Sequence, residues 1–300
     1  MTGTTPRESA KVWTVLSLLE WTTEHLSQRG HDEARLHVEL MLARALGLRR
    51  LDLYLQFDRP LTSAELGAFK ALYNRRLLHE PLQYILGDTE FMRLNLLVRP
   101  TALIPRPETE VLVEEAIKVA QERTDEGASD GNRMRIIDIG TGTGNIALSI
   151  AREFPEADVT ATDLDASALE LARENATRNQ ISNVRFLMDD IRSSVLAAES
   201  FDLIISNPPY IPLADFEKLD TEVRDFEPRL ALTDEKDGLS MYSALAKFAH
   251  KTLREHGSIL VEVGFGQSGD VAGIFQTAGL TVVPTVKDLA GIERVIGGSR

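Results

Sequence analysis

Four consecutive residues in the second half of the chain could together bind a planar amino group. They are Asn207, Pro208, Pro209 and Tyr210, and they follow a largely apolar run that begins at Phe201. Proline fixes φ and ends a strand, so the side-chain oxygen of Asn207 and the carbonyl oxygen of Pro208 are left to accept hydrogen bonds. These two acceptors can bind both hydrogens of one –NH2 group, while Tyr210 covers its π face.

The chemistry that this arrangement favours is methyl transfer to an amide or arylamine nitrogen. Such a nitrogen is a poor nucleophile because its lone pair is delocalised. Two acceptors on its hydrogens favour a pyramidal nitrogen and free the lone pair toward an electrophilic methyl group. The remaining contribution to catalysis is to hold the reacting atoms about 3–3.5 Å apart in a site that excludes water. The tetrapeptide alone could equally be a strand end with Tyr210 in the core.

A glycine-rich loop precedes the tetrapeptide in the chain. It reads Asp138-Ile139-Gly140-Thr141-Gly142-Thr143-Gly144, follows an apolar strand and leads into a helix near Asn145. Glycines let the backbone turn sharply and approach a ligand closely. The G-x-G-x-G spacing matches neither the nicotinamide fingerprint G-x-G-x-x-G nor the phosphate loop with its Gly-Lys-Ser/Thr ending. The loop therefore predicts a nucleoside ligand without a pyrophosphate.

Acidic residues end the strands that follow this loop. Asp163 ends the second strand, where a carboxylate can accept hydrogen bonds from both ribose hydroxyls. Asp189 and Asp190 end the third strand, where they are placed to meet an adenine amino group. S-adenosylmethionine has the required ribose and adenine, and its sulfonium carries a methyl group. The alternative is a tight turn beside solvated carboxylates.

The elements that must position these residues alternate between strands and helices from Met134 onward. The candidate strands are Arg135–Ile139, Asp158–Thr162, Val184–Met188, Phe201–Ser206, Ser258–Val263, Leu280–Val286 and Glu293–Ile296. The alternation predicts a doubly wound α/β sheet that binds ligands at the carboxyl ends of its strands. The connection Lys287–Ile292 is too short for a crossover helix, so the last strand should run antiparallel. A capping box of Ser167 and Glu170 predicts a helix over Ser167–Asn179.

The first 80 or so residues predict a bundle of three or four helices. The second helix would be capped by Asp32 and end at Gly47, and the third would begin with the capping box Thr62-Ser63-Ala64-Glu65. Nothing in this segment looks catalytic.

A change of pattern between Pro81 and Pro107 marks the expected domain boundary. Residues Phe91–Val98 partly alternate, which is typical of a hairpin or an extended connector. A helix should begin near Glu108, and the polar segment Gln121–Arg133 predicts a surface loop. We expect a helical domain over residues 1–80, a connector over residues 81–106 and the larger α/β domain over residues 107–300.

Composition and charge exclude several classes of protein. The 300 residues are 43% hydrophobic and 26% charged, as in a soluble globular protein. With 33 basic and 46 acidic residues the net charge is −13, so a broad nucleic-acid-binding surface is not expected. There is no cysteine, which removes disulfides, thiolate metal sites and cysteine nucleophiles. The six histidines show no ligand spacing, so we expect no metal.

The chain shows no sign of export or membrane insertion. Its polar start lacks the apolar core of a secretory signal, and no apolar run approaches the roughly 20 residues of a membrane span. These patterns predict a cytoplasmic protein.

Taken together, these residues resemble the HemK/PrmC family, the protein-glutamine N-methyltransferases that act on peptide chain release factors. The most specific part of the resemblance is Leu103–Glu110, with the sequence LIPRPETE. Further matching segments are Glu80–Gly87, Phe226-Glu227-Pro228 and Ala231-Leu232. The resemblance covers most of the chain and is weakest over the first 75 residues.

The resemblance implies a Rossmann-like, seven-stranded class I methyltransferase domain with a small N-terminal helical domain that docks the release factor. S-adenosylmethionine, which leaves as S-adenosylhomocysteine, would contact Gly140, Thr141, Gly142, Thr143, Gly144, Asp163, Asp190, Ile191 and Asn207. Some relatives carry an aromatic residue near the position of Ile191. No membrane and no direct nucleic-acid partner is implied.

The same resemblance assigns the substrate site. The glutamine of the Gly-Gly-Gln motif in a class 1 release factor would bind at Asn207, Pro208, Pro209 and Tyr210, with Asn207, Pro208 and Tyr210 as the catalytic residues. Arg106, Glu108 and Glu110 either contact the substrate loop or simply begin a helix, where carboxylates suit the N-terminal dipole.

Other functions stay open at this point. A methyltransferase acting on N6 of adenine or N4 of cytosine would use the same tetrapeptide on a flipped or single-stranded base. The charge of −13 and the lack of a Lys/Arg-rich insertion disfavour it. A non-catalytic S-adenosylmethionine-binding module would keep the glycine loop but would not need the intact tetrapeptide. The glycine spacing disfavours an NAD oxidoreductase.

Overall fold

The computed structural model describes residues 12–125, 133–194, 196 and 200–300. Its contacts divide the chain into two compact units, Met1–Leu86 and Gly87–Arg300. The boundary between the units falls within the segment 81–106 that the sequence marks as a connector. Each unit has a hydrophobic core of its own.

The smaller unit is helical, as predicted. Its helices are α1 (Val15–Ser27), α2 (Ala34–Leu46), α3 (Arg50–Tyr54), α4 (Ser63–Arg76) and α5 (Leu82–Leu86). The predicted capping box of α4 is present: Thr62 Oγ1 accepts from the Glu65 N–H, and the Glu65 carboxylate accepts from the Thr62 N–H. The predicted cap of α2 is wrong by one residue, since Glu33 occupies that position with φ 50°. Gly47 ends α2 as predicted.

The larger unit contains a hairpin and a seven-stranded sheet. The hairpin pairs β1 (Asp88–Phe91) with β2 (Leu94–Leu97). The strands of the sheet are β3 (Arg135–Ile139), β4 (Asp158–Asp163), β5 (Val184–Met188), β6 (Phe201–Ser206), β7 (Leu253–Glu262), β8 (Thr281–Lys287) and β9 (Glu293–Ser299). Their order is β5-β4-β3-β6-β7-β9-β8. β9 runs antiparallel to both of its neighbours, β7 and β8, whereas β3 to β7 pair in parallel, which confirms the prediction for the last strand.

The strand order changes direction between β3 and β6. The chain runs outward from β3 through β4 to β5, and then returns to place β6 on the other side of β3. Ligands of such sheets bind outside the carboxyl ends of the strands at this switch point. The glycine loop follows β3 and the tetrapeptide follows β6, so the fold brings both motifs to that edge.

Helices cover both faces of the sheet. The described helices of this unit are α6 (Thr109–Asp125), α7 (Asn145–Glu153), α8 (Ala166–Arg178), α9 (Leu213–Phe216), α10 (Thr221–Phe226), α11 (Arg229–Leu232), α12 (Ser240–Thr252) and α13 (Ser268–Thr277). One buried cluster unites residues of α6 and α7 with the sheet, and a second unites residues of α12 and α13 with it. All six residues of β6 are buried, as expected for a central parallel strand. Within the part of the chain that is described, no helix combines the length and the hydropathy needed to cross a membrane.

Two local predictions in the larger unit are wrong. Residues 121–125 of the expected surface loop form the last part of α6, and residues 126–132 of it lie outside the described residues. The predicted capping box at Ser167 is absent, because Asp165 caps α8 instead. The Asp165 carboxylate accepts from the Ser167 N–H at 2.7 Å. This N–H lies in the first turn of α8, where it has no partner within the helix and needs one from the capping residue.

Candidate active site

The glycine loop joins β3 to α7 in a tight turn. Its three glycines all have positive φ, between 53° and 84°, a region that side chains disfavour. The N–H groups of Gly140 and Thr141 both donate to the carbonyl oxygen of Thr162, at 2.9 and 2.8 Å, and so attach the loop to β4. A Cβ on Gly144 would lie 3.2 Å from Ala172 Cβ, so α8 packs against this glycine. Backbone conformation and close packing thus account for the spacing of the glycines.

Asp138 supports the loop from within the core. Its side chain is fully buried, and Oδ2 accepts from Thr141 Oγ1 at 2.6 Å and from the Ala147 N–H at 3.1 Å. Oδ1 is also buried, and the described residues offer it no hydrogen-bond partner. Burial raises the pKa of Asp138 to about 7. The carboxyl group can therefore accept one more hydrogen bond beneath the loop.

Asp163 lies beside the loop at the end of β4. Its Oδ2 accepts from the Gly142 N–H at 2.9 Å, and its Oδ1 accepts from the Asp165 N–H at 3.0 Å. Burial raises the pKa of this carboxyl, and the backbone hydrogen bonds oppose that shift. Each oxygen keeps acceptor capacity for a ligand hydroxyl. The structure thus brings Asp163 and the glycine loop together, as the sequence predicts.

The two acids after β5 have different surroundings. Asp190 binds the Arg192 guanidinium, with Nε at 2.8 Å from Oδ1 and Nη2 at 2.9 Å from Oδ2, and this pairing lowers the pKa of Asp190. Asp189 Oδ2 is buried and has no hydrogen-bond partner among the described residues. Ile191 is buried beside them. Asp189 therefore carries a buried oxygen without a partner among the described residues, whereas Asp190 already shares its oxygens with Arg192.

The tetrapeptide leaves β6 next to the glycine loop. Ser206 Oγ donates to the carbonyl oxygen of Ile139 at 2.8 Å, which ties the end of β6 to the end of β3. Asn207 Nδ2 donates to Thr109 Oγ1 at 3.2 Å, so the Asn207 side-chain oxygen remains as an acceptor. Within the described residues, no backbone N–H outside the regular elements donates to the carbonyl of Pro208. The Asn207 and Pro208 oxygens are thus both available as acceptors, and their binding of a planar –NH2 group stays a prediction.

Tyr210 is held at its backbone and at its hydroxyl. Its carbonyl oxygen accepts from Gln267 Nε2 at 2.9 Å, and its hydroxyl donates to Glu262 Oε1 at 3.4 Å. Burial and the nearby Glu262 carboxylate raise the pKa of Tyr210, so the phenol stays protonated at neutral pH. Gly238 has φ 79°, and a Cβ there would overlap the Tyr210 carbonyl oxygen. Only glycine fits this close approach.

Two residues at this site were missed by the sequence analysis. Glu262, at the end of β7, is only 2% exposed, and its Oε2 accepts from Thr109 Oγ1 at 2.7 Å. Burial raises the pKa of Glu262. Thr109, which is 1% exposed, lies in the LIPRPETE segment but had no assigned role. A signal for Glu262 was available, since it lies in the otherwise apolar run Ile259–Val263, and an acid that is buried there must be paired.

The charged residues of the LIPRPETE segment have separate contacts. Arg106 forms an ion pair with Glu227, whose other oxygen accepts from the Ile104 N–H at 3.1 Å. Glu110 lies in the first turn of α6 and accepts from the Met92 N–H at 3.0 Å in the turn of the β1–β2 hairpin. Glu227, in the segment Phe226-Glu227-Pro228, is 5% exposed. Arg106 and Glu110 therefore hold neighbouring loops in place.

Comparison with known proteins gives two family matches. Residues 17–87 match the family described as PrmC N-terminal domain, and residues 121–219 match the family described as methyltransferase small domain. A release factor glutamine methyltransferase from Geobacter sulfurreducens is 42% identical over 291 residues, which is 97% of this chain and 98% of that protein. The protein of the same name from Chlorobaculum tepidum is 41% identical over 288 residues, with 95% and 96% covered.

A solved methyltransferase from Pyrococcus furiosus also resembles the chain. It is 20% identical, with a TM-score of 0.48, and the similarity covers 69% of this chain and 88% of that one. The fold assignment depends on the strand order described above rather than on this similarity.

Proposed function

Because the chain belongs to the family of release factor glutamine methyltransferases, we propose that it methylates the side-chain amide nitrogen of a glutamine. The methyl donor is S-adenosylmethionine, and the glutamine is that of the Gly-Gly-Gln motif in a class 1 peptide chain release factor. The observation that carries the proposal is the acceptor pair at the end of β6. Thr109 orients the amide of Asn207 so that its oxygen accepts, directly beside the glycine loop.

The residues of the tetrapeptide act on the glutamine amide. The Asn207 side-chain oxygen and the Pro208 carbonyl oxygen accept its two N–H hydrogens, which favours pyramidal nitrogen and frees the lone pair for attack. Tyr210 and Pro209 enclose the amide and exclude water. S-adenosylmethionine would supply a sulfonium methyl group whose positive charge would pass with the methyl to the amide nitrogen and leave as an N–H proton, and a dry site would favour this dispersal of charge in the transition state.

The polar groups at the ends of β3, β4 and β5 fit S-adenosylmethionine. Asp163 has acceptor capacity for the ribose hydroxyls, and the unpartnered Asp189 oxygen can accept from the adenine amino group, with Asp190 and Ile191 beside it. The loop residues Gly140, Thr141, Gly142, Thr143 and Gly144 would contact the methionine part, above the open oxygen of Asp138. When bound, this cofactor supplies the electrophilic methyl group.

The remaining parts of the proposal concern the partner. Residues 1–80 would dock the release factor, and the reaction would take place in the cytoplasm. Methylation of a base is not favoured, because the net charge is −13 and the similar proteins are named for a release factor.

The test is methylation of purified class 1 release factor with radiolabelled S-adenosylmethionine. We expect label in the release factor and none in a variant whose Gly-Gly-Gln glutamine is replaced by alanine. DNA and RNA are assayed in parallel. Label in nucleic acid with none in the release factor would contradict the proposal. Cofactor binding without any S-adenosylhomocysteine production would show a binding module instead.

A further inference from the structure

A chain of hydrogen bonds links the proposed amide site to a buried carboxylate. Asn207 Nδ2 donates to Thr109 Oγ1 at 3.2 Å, and Thr109 Oγ1 donates to Glu262 Oε2 at 2.7 Å. The three residues lie at the end of β6, the start of α6 and the end of β7. Thr109 and Glu262 are 1% and 2% exposed, so water does not compete for these bonds.

The direction of this chain follows from the single hydrogen of the threonine hydroxyl. An ionised Glu262 can only accept, so the Thr109 hydrogen must point to Oε2. The oxygen of Thr109 then accepts, and the partner that it finds is the Nδ2 group of Asn207. The side-chain oxygen of Asn207 is thereby kept for a substrate –NH2 group.

Protonation of Glu262 permits the opposite direction. A neutral carboxyl can donate to Thr109 Oγ1, and the Thr109 hydrogen can then donate to the side-chain oxygen of Asn207 after a flip of its amide. The amide flip turns the –NH2 group of Asn207 toward the substrate. Two –NH2 groups cannot accept from one another, so the substrate amide loses one of its two acceptors.

We propose that Glu262, acting through Thr109, is a positioning residue that selects the acceptor orientation of the Asn207 side-chain amide. The inference rests on the proposed function, because the orientation matters for catalysis only if a substrate amide binds at Asn207. The ionised carboxylate holds the active orientation, and the neutral carboxyl releases it.

The surroundings of Glu262 determine the sign of the pH dependence. The titratable and charged groups that face it are Tyr210 after β6, Glu108 before α6, Tyr242 on α12 and Arg294 on β9. Burial raises the pKa of Glu262, whereas Arg294 opposes that shift. The active ionised form is therefore lost as the pH falls through this raised pKa, and kcat should decline on the acid side.

The kinetic test uses saturating S-adenosylmethionine and release factor from pH 5 to pH 9. Removing the hydroxyl in Thr109→Val should lower kcat about 10–100-fold, because the acceptor is no longer oriented. The acid decline should disappear in Thr109→Val and in Glu262→Gln. Thr109→Ser keeps the hydroxyl and should retain kcat within about threefold. Thr124→Val on the same helix is the control, since the partner of that hydroxyl among the described residues is the Ala120 carbonyl.

A second measurement does not depend on activity. The side-chain amide protons of Asn207, identified by NMR through their loss in Asn207→Ala, should exchange about tenfold faster in Thr109→Val than in Thr109→Ser. Because intrinsic amide exchange slows as the pH falls, the acid change is read as a protection factor relative to a free asparagine side chain at the same pH, and this factor should fall in the unaltered protein at acid pH. If these results hold while the release factor is not methylated, only the proposed function is wrong.

Other results would overturn the inference. One is a Thr109→Val enzyme with undiminished kcat; another is an unchanged acid decline in Glu262→Gln. Equal exchange rates of the Asn207 side-chain protons in Thr109→Val and Thr109→Ser would also exclude an effect of the Thr109 hydroxyl on the Asn207 amide. A loss of kcat in Thr109→Ser as large as in Thr109→Val would show that Thr109 acts by packing alone.

Discussion

The glycine loop and the amide site lie at the ends of neighbouring strands, yet they are held in different ways. In the loop, Asp138 binds Thr141 and Ala147, which are three and nine residues away in the chain. In the amide site, the partner of Asn207 lies 98 residues away and that of the Tyr210 hydroxyl lies 52 residues away. Asp138 therefore supports the glycine loop through residues that are close to it in the chain. The amide site instead depends on partners from distant parts of the larger unit.

Because the two regions are held by different contacts, we expect them to respond separately to substitution. A change in the loop acts on the proposed cofactor site at the ends of β3, β4 and β5, so it should affect cofactor affinity. A change at the amide site disturbs contacts among β6, β7 and α6, so it should affect the chemical step. Variants that change the cofactor Kd without changing kcat, or kcat without changing the cofactor Kd, therefore test whether the two regions are independent.

The largest effect is expected for Asn207→Ala. Loss of one of the two acceptors should lower kcat about 1,000-fold, by analogy with removal of one preorganised hydrogen-bond partner from a catalytic site. The Kd for S-adenosylmethionine should change by less than about threefold, because the loop keeps its own support. Calorimetric titration and release-factor methylation measure the two quantities. A weakened Kd with intact kcat would place Asn207 in the cofactor site alone.

The converse variant is Asp163→Ala. Loss of charge-assisted hydrogen bonds should raise the cofactor Kd about 10–100-fold, while kcat at saturating cofactor stays within a few-fold. Asp158→Ala, at the exposed start of the same strand, is the control and should leave both quantities unchanged. If kcat fell and Kd did not, the proposed contact between Asp163 and the ribose would be incorrect.

A smaller effect is expected for Gly238→Ala, which acts on the amide site through Tyr210. The new Cβ overlaps the Tyr210 carbonyl oxygen, so the ring must shift and kcat/KM for the release factor should fall about tenfold. The cofactor Kd should not change. Gly273→Ala in α13 is the matched control, since a Cβ there meets no atom within 4 Å. Equal kinetics for these two variants would refute a role of the Tyr210 position.

The last prediction concerns the stability of the loop region rather than the kinetics. The pKa of Asp138 is raised to about 7, above its ordinary value, so the folded state holds a proton that the unfolded state releases. The contribution of Asp138 to the free energy of unfolding is fully present below the ordinary pKa. It declines by at most about 1.4 kcal/mol per pH unit between that pKa and about pH 7, and it is constant above pH 7. Urea unfolding without cofactor should show this decline, and Asp138→Asn should remove it. The same slope in both proteins would exclude Asp138 as its source.

The loop was predictable from the sequence because its contacts are local. The spacing of Gly140, Gly142 and Gly144 and the acids at two strand ends lie within short segments, and the alternation of strands and helices supplied the sheet. The role of Thr109 could not be predicted, because no pattern near residue 207 shows which side chain will meet Asn207. Arg192 was missed as a partner of Asp190 for another reason: two adjacent acids compete for it, and geometry decides between them.

Local competition also explains the other errors. Asp165 and Ser167 are both good helix caps, and the structure uses the earlier one because its carboxylate reaches the N–H of Ser167. Residues 121–125 are polar and precede a glycine in the sequence, as in a loop, but they continue α6 for one more turn. Propensity alone does not separate these alternatives.

The position of β9 has a consequence for biosynthesis. This strand is made after β8 but lies between β7 and β8, where Val295 pairs with Glu262 and Glu293 pairs with Lys287. While β9 is still inside the ribosome, the edge of β7 that carries Glu262 has no neighbour. We expect the nascent chain to complete its glycine loop first and its amide site only after β9 emerges. A chain truncated before β9 would then retain the β3–β4 portion of the sheet without a working amide site.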